Sequence, residues 1–234
     1  MHVPEIRYQS AHSKEVRCLF FDAVGTLIYP ARSVGETYSQ IGEQFGFQAD
    51  AETLDAAFRQ VFRVTDPPMP VQDDRDWWRT LVEATFVQAG VSGASGAGFD
   101  SCFDALFGYY AEGAAWRVYV EVDQVLRDMK GRGLDLWVLS NFDGRLVSIL
   151  EDLGLAKYFQ GIVYSSDVGF SKPAPEIFAE AVRRSGYSVS ACLHIGDDPE
   201  ADWQGGASAG LAVYRLDRSI GDLTGLSEPW AKKT

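Results

Sequence analysis

Short runs of apolar residues alternate with amphipathic segments through most of the chain. The first apolar run covers residues 17–21 and stops abruptly at Asp22. Similar runs recur at 134–139, 161–164, 192–195 and 211–214, with helical patterns between them at 121–132, 145–153, 175–185 and 202–209. Short apolar strands that alternate with helices are typical of a parallel sheet covered on both faces. The pattern therefore predicts an α/β fold with a Rossmann-like parallel sheet flanked by helices.

The region between the first and second predicted strands has a different pattern. Residues 31–115 show helical periodicity without strand runs, at 34–45, 51–64 and 76–89. Three prolines at 67, 68 and 70 interrupt it, and so does a Gly/Ser/Ala stretch at 90–98. Within that stretch, the segment at 93–98 follows a helix and has no Lys-Ser/Thr after it, so we interpret it as a flexible connector and not as a phosphate loop. The sequence thus predicts a core domain over 1–30 and 116–234, with a helical insert over 31–115.

Composition narrows the possible partners. The chain has 234 residues with 21 basic and 33 acidic side chains, so its net charge is 21 − 33 = −12. This acidity argues against binding to nucleic acid or to an anionic membrane, and no apolar stretch reaches membrane-spanning length. The first sixteen residues lack a secretory signal, and the three cysteines have no disulfide or zinc spacing. We expect a cytoplasmic protein with reduced thiols; nothing in the sequence indicates its oligomeric state.

Polar residues follow the apolar runs where the predicted strands end, and ligands bind at that edge of open α/β sheets. The segments concerned are Asp-Ala-Val-Gly-Thr at 22–26, Leu-Ser-Asn at 139–141, Ser-Lys-Pro at 171–173, and Gly-Asp-Asp-Pro-Glu-Ala-Asp at 196–202. One Asp at a strand end is often only a helix cap. Four polar segments in this order along one edge predict a common site.

Bringing these segments together would gather several carboxylates, from Asp22, Asp197 and either Asp198 or Asp202. Two carboxylates about 4 Å apart repel by about 4 kcal/mol at an effective dielectric of about 20. A divalent cation relieves that repulsion, and Mg²⁺ prefers oxygen ligands. The acidic cluster therefore predicts a Mg²⁺ site, which would also neutralise a phosphoryl group beside Asp22.

The remaining polar side chains of these segments suit an anionic substrate. Ser140 can donate a hydrogen bond to a phosphoryl oxygen, and Lys172 adds a positive charge. Asn141 and the helix N-terminus that follows it offer N–H groups to the same anion. One carboxylate would then be available as a nucleophile.

These four segments resemble motifs I to IV of the haloacid dehalogenase-like (HAD) superfamily, over nearly the whole chain. Within that superfamily the helical insert resembles a type C1 cap. Four shorter segments, at 22–27, 77–78, 140–143 and 196–198, resemble the REG-2-like branch. The resemblance implies a HAD-like core with a helical cap.

The resemblance also implies a role for each matching residue. Asp22 would be the nucleophile that forms an aspartyl-phosphate, and Thr26 would shape the turn after the first strand. Ser140 and Lys172 would bind the transferred group. The implied Mg²⁺ ligands are an oxygen of Asp22, the backbone carbonyl of Val24, and Asp197, while Asp198 and Asp202 would either bind the metal or support its ligands.

Val24 departs from the pattern of the superfamily's phosphatases. Two residues after the nucleophile they carry a second Asp, the general acid/base, and valine cannot transfer a proton. General acid–base catalysis contributes about 10²–10⁴ in rate, so its loss slows hydrolysis without forbidding it. We expect a Mg²⁺-dependent phosphohydrolase that acts on a small phosphorylated metabolite. The alternatives are a weakly catalytic or non-catalytic protein that binds a ligand or partner, and a metal-free 2-haloacid dehalogenase, which the acidic pair Asp197–Asp198 argues against.

Overall fold

The computed structural model describes residues 16–65 and 74–230. Within these residues the strands are β1 Cys18–Phe21, β2 Ile28–Pro30, β3 Trp116–Val118, β4 Asp135–Ser140, β5 Gly161–Tyr164, β6 Cys192–Gly196 and β7 Ala212–Arg215. Five of them form a parallel sheet in the order β5-β4-β1-β6-β7, and β2 pairs with β3 in a separate ladder. The predicted parallel sheet flanked by helices is confirmed.

The helices of the same residues fall into two groups along the chain. Those between β2 and β3 are α1 Val34–Gln44, α2 Ala51–Val64, α3 Asp74–Gln88 and α4 Ala97–Tyr109. Those after β3 are α5 Val122–Gly131, α6 Arg145–Asp152, α7 Ser165–Val168, α8 Pro175–Ser185 and α9 Gly205–Ser208. None of the described helices is both long and apolar enough to cross a membrane.

Strand β1 lies at the centre of the sheet, and every one of its residues is apolar. Cys18 to Phe21 are fully buried, as are the residues of β6 beside it. One face of the sheet packs Phe20, Leu139 and Val163 against Ile177 and Phe178 of α8. In the parallel register Phe21 is level with Val138 and Ile195, so β1, β4 and β6 end near one another at the same edge.

The chain divides into two compact units, with boundaries at Tyr29/Pro30 and Arg117/Val118. The unit over Pro30–Arg117 contains α1 to α4. Its bounds lie within two residues of those of the helical insert predicted over 31–115. Its own core includes Leu54 from α2, Phe86 from α3, and Phe99 and Leu106 from α4, each at most 1% exposed. A capping box fixes the start of α1: Ser33 Oγ accepts from the amide of Glu36, whose carboxylate accepts from the amide of Ser33.

Helix α4 was not predicted. The sequence predicts a flexible connector at 93–98, but α4 begins within it, at Ala97. Glycine and serine lower helix propensity, whereas burial of Phe99, Cys102 and Phe103 against the other helices of this unit stabilises the helix. The helix predicted over 202–209 also begins earlier, as a π-helix over Pro199–Gln204 that continues into α9.

Candidate active site

The ends of β1 and β4 place two predicted residues in contact. Asp22 directly follows β1, and its amide donates to the carbonyl of Ile195 (2.8 Å), which ties the end of β1 to β6. Ser140 is the last residue of β4, and its Oγ donates to Asp22 Oδ1 (3.0 Å). Both side chains are buried, at 6% and 2% exposure. A carboxylate and a hydroxyl therefore meet at the edge of the sheet.

Lys172 forms two ion pairs at this edge. Its Nζ lies 2.7 Å from Asp22 Oδ1 and 2.6 Å from Asp202 Oδ1. The three side chains are 2%, 9% and 1% exposed. Ion pairs in such a dry setting are screened far less than surface pairs. His194, inside β6, lies with Nε2 2.8 Å from the same Asp202 oxygen.

Burial and neighbouring charge act in opposite directions on these carboxyl groups. Burial raises the pKa of Asp22 to about 6, although Lys172 partly offsets it. Burial would also raise the pKa of Asp202, but the charge of Lys172 and the hydrogen bond with His194 outweigh it and lower that pKa. The pKa of Lys172 is raised, because the two carboxylates outweigh the desolvation that alone would lower it. At neutral pH the ammonium is therefore charged between two carboxylates.

Asp197, which follows β6, is positioned by the loop after β1. Thr26 Oγ1 donates to Asp197 Oδ1 (3.0 Å). Gly25, at φ +90°, lies so close that a Cβ there would be 2.3 Å from Asp197 Oδ2. Glycine is required at this position for both reasons. Burial raises the pKa of Asp197 as well.

Three carboxylates form a cluster of the size that a metal ion needs. One oxygen each of Asp22, Asp197 and Asp202 lies within 4.8 Å of the others. With Lys172, the ionised cluster carries a charge of −3 + 1 = −2, which one divalent cation would balance. The hard oxygen donors suit Mg²⁺.

Asp198 lies outside this cluster. Its side chain is exposed, and Oδ1 accepts from the amides of Glu200 and Ala201 (2.8 and 2.7 Å) at the start of the π-helix. Its own amide donates to Asp202 Oδ2 (3.0 Å). Of the two acids left open by the sequence, the structure brings Asp202 into the cluster, while the Asp198 carboxylate caps a helix.

Asn141 makes a contact that was not predicted. Its side-chain Nδ2 donates to the carbonyl of Lys172 (2.9 Å), and its Oδ1 accepts from the amide of Lys172 (2.7 Å). The two bonds fix the backbone that carries Lys172. In this structure the Asn141 side chain thus orients Lys172, a role separate from the backbone N–H groups that we expect at this position to bind a substrate anion.

Val24 lies in the tight turn after β1. Its side chain is half-buried, and Val24 forms an isolated bridge with Ile28. The turn is closed by bonds from the amides of Leu27 and Ile28 to the carbonyl of Ala23 (2.7 and 2.9 Å). The position two residues after Asp22 is therefore an apolar side chain in a turn that backbone hydrogen bonds close.

A family model described as "haloacid dehalogenase-like hydrolase" matches residues 16–210. The chain belongs to this family. It is 34% identical over 220 residues to haloacid dehalogenase-like hydrolase domain-containing protein 3 of Danio rerio, covering 92% of this chain and 90% of that protein. It is 31% identical over 205 residues to the Rhythmically expressed gene 2 protein of Drosophila melanogaster, covering 80% and 77%. The predicted resemblance to the REG-2-like branch is confirmed.

The fold agrees with this membership. YfnB of Bacillus subtilis, solved bound to magnesium, matches with a TM-score of 0.74 at 20% identity, covering 92% of this chain and 98% of that one. The sequence did not single out Arg218, which contacts the loop after β1 in the structure. Arg218 follows β7, far from the four motif segments, and its guanidinium donates to the carbonyls of Gly25 and Thr26. No motif or periodicity marks it.

Proposed function

We propose that this HAD-family protein is a Mg²⁺-dependent phosphohydrolase that forms an aspartyl-phosphate on Asp22. The observation that carries the proposal is the contact of Asp22 with Ser140 and Lys172, next to two further carboxylates. A nucleophilic carboxylate, two groups that bind an anion, and a cation-sized acidic cluster are the parts that phosphoryl transfer to an enzyme side chain needs.

The residues present fit a bound Mg²⁺. Asp22, Asp197 and Asp202 offer oxygen ligands within 4.8 Å of one another, and their excess charge of −2 with Lys172 equals the charge of one such ion in size. When bound, the ion would supply charge neutralisation for the phosphoryl group and the carboxylates. The backbone carbonyl of Val24 is proposed as a further ligand, on the resemblance alone.

The side chains around Asp22 would each contribute to the transfer. One Asp22 oxygen attacks phosphorus, and the bond from phosphorus to the leaving oxygen breaks. Water then cleaves the aspartyl-phosphate, which releases inorganic phosphate and restores the Asp22 carboxylate. Lys172 and Ser140 both donate to Asp22 Oδ1, so they orient the carboxylate and lie where they can donate to a phosphoryl oxygen. Asn141 fixes the Lys172 backbone, and Thr26 orients Asp197.

Val24 limits the proposed chemistry. A leaving alkoxide needs a proton, which valine cannot give, so we propose small phosphorylated metabolites with good leaving groups, such as acyl phosphates, as substrates. The same observation favours a second candidate, a weakly catalytic or non-catalytic protein that binds a ligand at this site. We also propose a cytoplasmic location, with which the free, buried thiols of Cys18, Cys102 and Cys192 agree.

The test is a panel of alkyl, aryl and acyl phosphates, assayed with Mg²⁺ and with a chelator. We expect hydrolysis with Mg²⁺, none with the chelator, and none by Asp22→Asn. The matched control is Asp128→Asn, which changes an exposed carboxylate on α5 and should retain full activity. Acid-quenched samples of the wild-type protein should contain a peptide phosphorylated at Asp22.

Each other outcome is informative. Equal turnover by Asp22→Asn and wild type would remove Asp22 as the nucleophile. Halide release from a 2-haloacid in the presence of chelator would identify a dehalogenase instead. No turnover of any compound, by a protein that still binds a divalent cation, would favour the non-catalytic candidate.

A further inference from the structure

Arg218 binds the loop that follows β1. Its Nε donates to the carbonyl of Gly25 (3.2 Å), and its Nη2 donates to the carbonyl of Thr26. The carbonyl of Ala23, in contrast, is used within the turn, where it accepts from the amide of Leu27 (2.7 Å). One guanidinium therefore binds two successive carbonyls of the loop.

Arg218 is itself held in one orientation. Its Nη1 donates to Glu121 Oε1, and its Cζ lies 3.6 Å from the centre of the Tyr119 ring. Glu121 Oε1 also accepts from the amide of Leu223 (3.4 Å). The side chains of Arg218 and Glu121 are 17% and 9% exposed. Because a guanidinium is planar and has several fixed donors, these contacts define its position better than one ammonium could.

The residues that Arg218 binds are also those that contact Asp197. Thr26 Oγ1 donates to Asp197 Oδ1 (3.0 Å), and the Cα of Gly25 faces Asp197 Oδ2 so closely that no Cβ fits between them. The Gly25–Thr26 segment thus lies between a guanidinium on one side and a carboxylate of the acidic cluster on the other. A shift of this segment would move the hydroxyl that orients Asp197.

We propose that Arg218 is a positioning residue for the candidate metal site. It fixes the Gly25 and Thr26 carbonyls, and through them the Thr26 hydroxyl and the Asp197 carboxylate. The effect on activity rests on the proposed function, whereas the effects on loop order and on divalent-cation binding do not. Residues that orient metal ligands typically contribute about 10- to 100-fold to metal affinity.

The test compares Arg218→Met and Arg218→Lys with the matched control Arg215→Met. Arg215 is an exposed arginine at the end of β7 whose guanidinium lies 5.9 Å from the Trp203 ring centre. Arg215→Met removes one positive charge, as Arg218→Met does, but at a residue with no contact to the loop after β1. Mn²⁺ affinity is measured by titration, and backbone amide exchange of residues 24–28 is measured in the metal-free protein.

We expect Arg218→Met to bind Mn²⁺ roughly 10- to 100-fold more weakly and to exchange the amides of 24–28 faster. Arg218→Lys should lie between it and the wild type, because one ammonium cannot bind both carbonyls and Glu121 in the same geometry. Arg215→Met should match the wild type in both measurements. If the enzyme is active, the Mg²⁺ concentration for half-maximal rate should rise with the loss of Mn²⁺ affinity.

Unchanged Mn²⁺ affinity and unchanged exchange in a folded Arg218→Met protein would overturn the proposal. If Arg218→Met does not fold, Arg218→Lys decides, and wild-type behaviour of that variant would overturn it equally. A loss of stability without a loss of Mn²⁺ affinity would reduce Arg218 to a structural residue and also count against the proposal. Failure of the wild type to hydrolyse any phosphate would refute the proposed function alone.

Discussion

Replacement of Lys172 by methionine tests the electrostatics of the site. The substitution keeps much of the side-chain volume and removes the charge that lies 2.7 Å from Asp22 and 2.6 Å from Asp202. Both carboxylates remain buried, with side-chain exposures of 9% and 1%. Without Lys172 they lose the cation that compensates their burial.

The expected loss is large at neutral pH. Removing one partner of a buried ion pair costs about 3–5 kcal/mol, because an uncompensated charge remains in a dry environment. The matched control is Lys157→Met. Lys157 is 63% exposed and its Nζ is 4.0 Å from Asp123, so its loss should cost less than about 1 kcal/mol.

The loss should also depend on pH with a definite sign. The folded pKa of Asp22 is raised from 3.8 to about 6, so its protonation stabilises the fold at low pH, and this contribution is lost as pH rises through 6. Lys172 lowers that pKa, and it also lowers the pKa of Asp202. In Lys172→Met both carboxyls therefore take up protons at higher pH, and the difference from wild type should be larger at pH 8 than at pH 5.

The assay is urea unfolding at both pH values, followed by circular dichroism, with chelator present so that no divalent cation replaces the lost charge. The free energy of unfolding of Lys172→Met should fall by about 3–5 kcal/mol at pH 8 and by less at pH 5. A fall below about 1 kcal/mol at pH 8, or a larger fall at pH 5, would refute the electrostatic reasoning.

Three further predictions concern the same site. Val24→Asp should raise the rate of alkyl phosphate hydrolysis by up to about 10²–10⁴, whereas Val24→Asn, whose side chain has the shape of Asp but cannot transfer a proton, should not. Equal rates for the two variants would show that proton transfer is not limiting. Gly196→Ala would place Cβ 2.2 Å from Asp202 Cγ, so we expect the free energy of unfolding, measured in urea, to fall by about 1–3 kcal/mol. The control Gly131→Ala should show no such fall, because no atom lies within 4 Å of the Cβ it would add. Mg²⁺ at roughly 100 times its dissociation constant should stabilise the protein by about 2.7 kcal/mol, seen as a higher Tm that a chelator reverses. If the same Mg²⁺ concentration raised the Tm of Asp197→Asn as much as that of the wild type, Asp197 would be excluded as a ligand.

The strands and the residues that end them could be predicted because burial leaves a simple pattern. The residues of β1 and β6 are buried and, apart from His194, apolar, and the polar residues Asp22 and Asp197 follow them directly. Parallel pairing then brings such strand ends to one edge of the sheet. The spacing of the apolar runs and the polar residues that end them are therefore enough to identify the segments that supply Asp22, Ser140 and Asp197.

Other features depend on contacts that no local pattern records. Asp198 and Asp202 are four residues apart, and only the direction of the π-helix decides which of them points inward. Helix α4 forms because Phe99 and its neighbours are buried, despite the glycines at its start. Arg218 reaches Gly25 across 193 residues of chain, and an arginine in a polar loop resembles any other solvated arginine.

The position of β1 in the sheet has a consequence for synthesis on the ribosome. Its two neighbours pair with it at Cys18↔Asp135 and Cys18↔Cys192, which are 135 − 18 = 117 and 192 − 18 = 174 residues later. The helical unit is therefore translated in full while β1, the most apolar strand, still has no partner. Such distant pairings slow folding and leave apolar edges open to aggregation. The nascent chain should thus depend on chaperones until β6 has emerged.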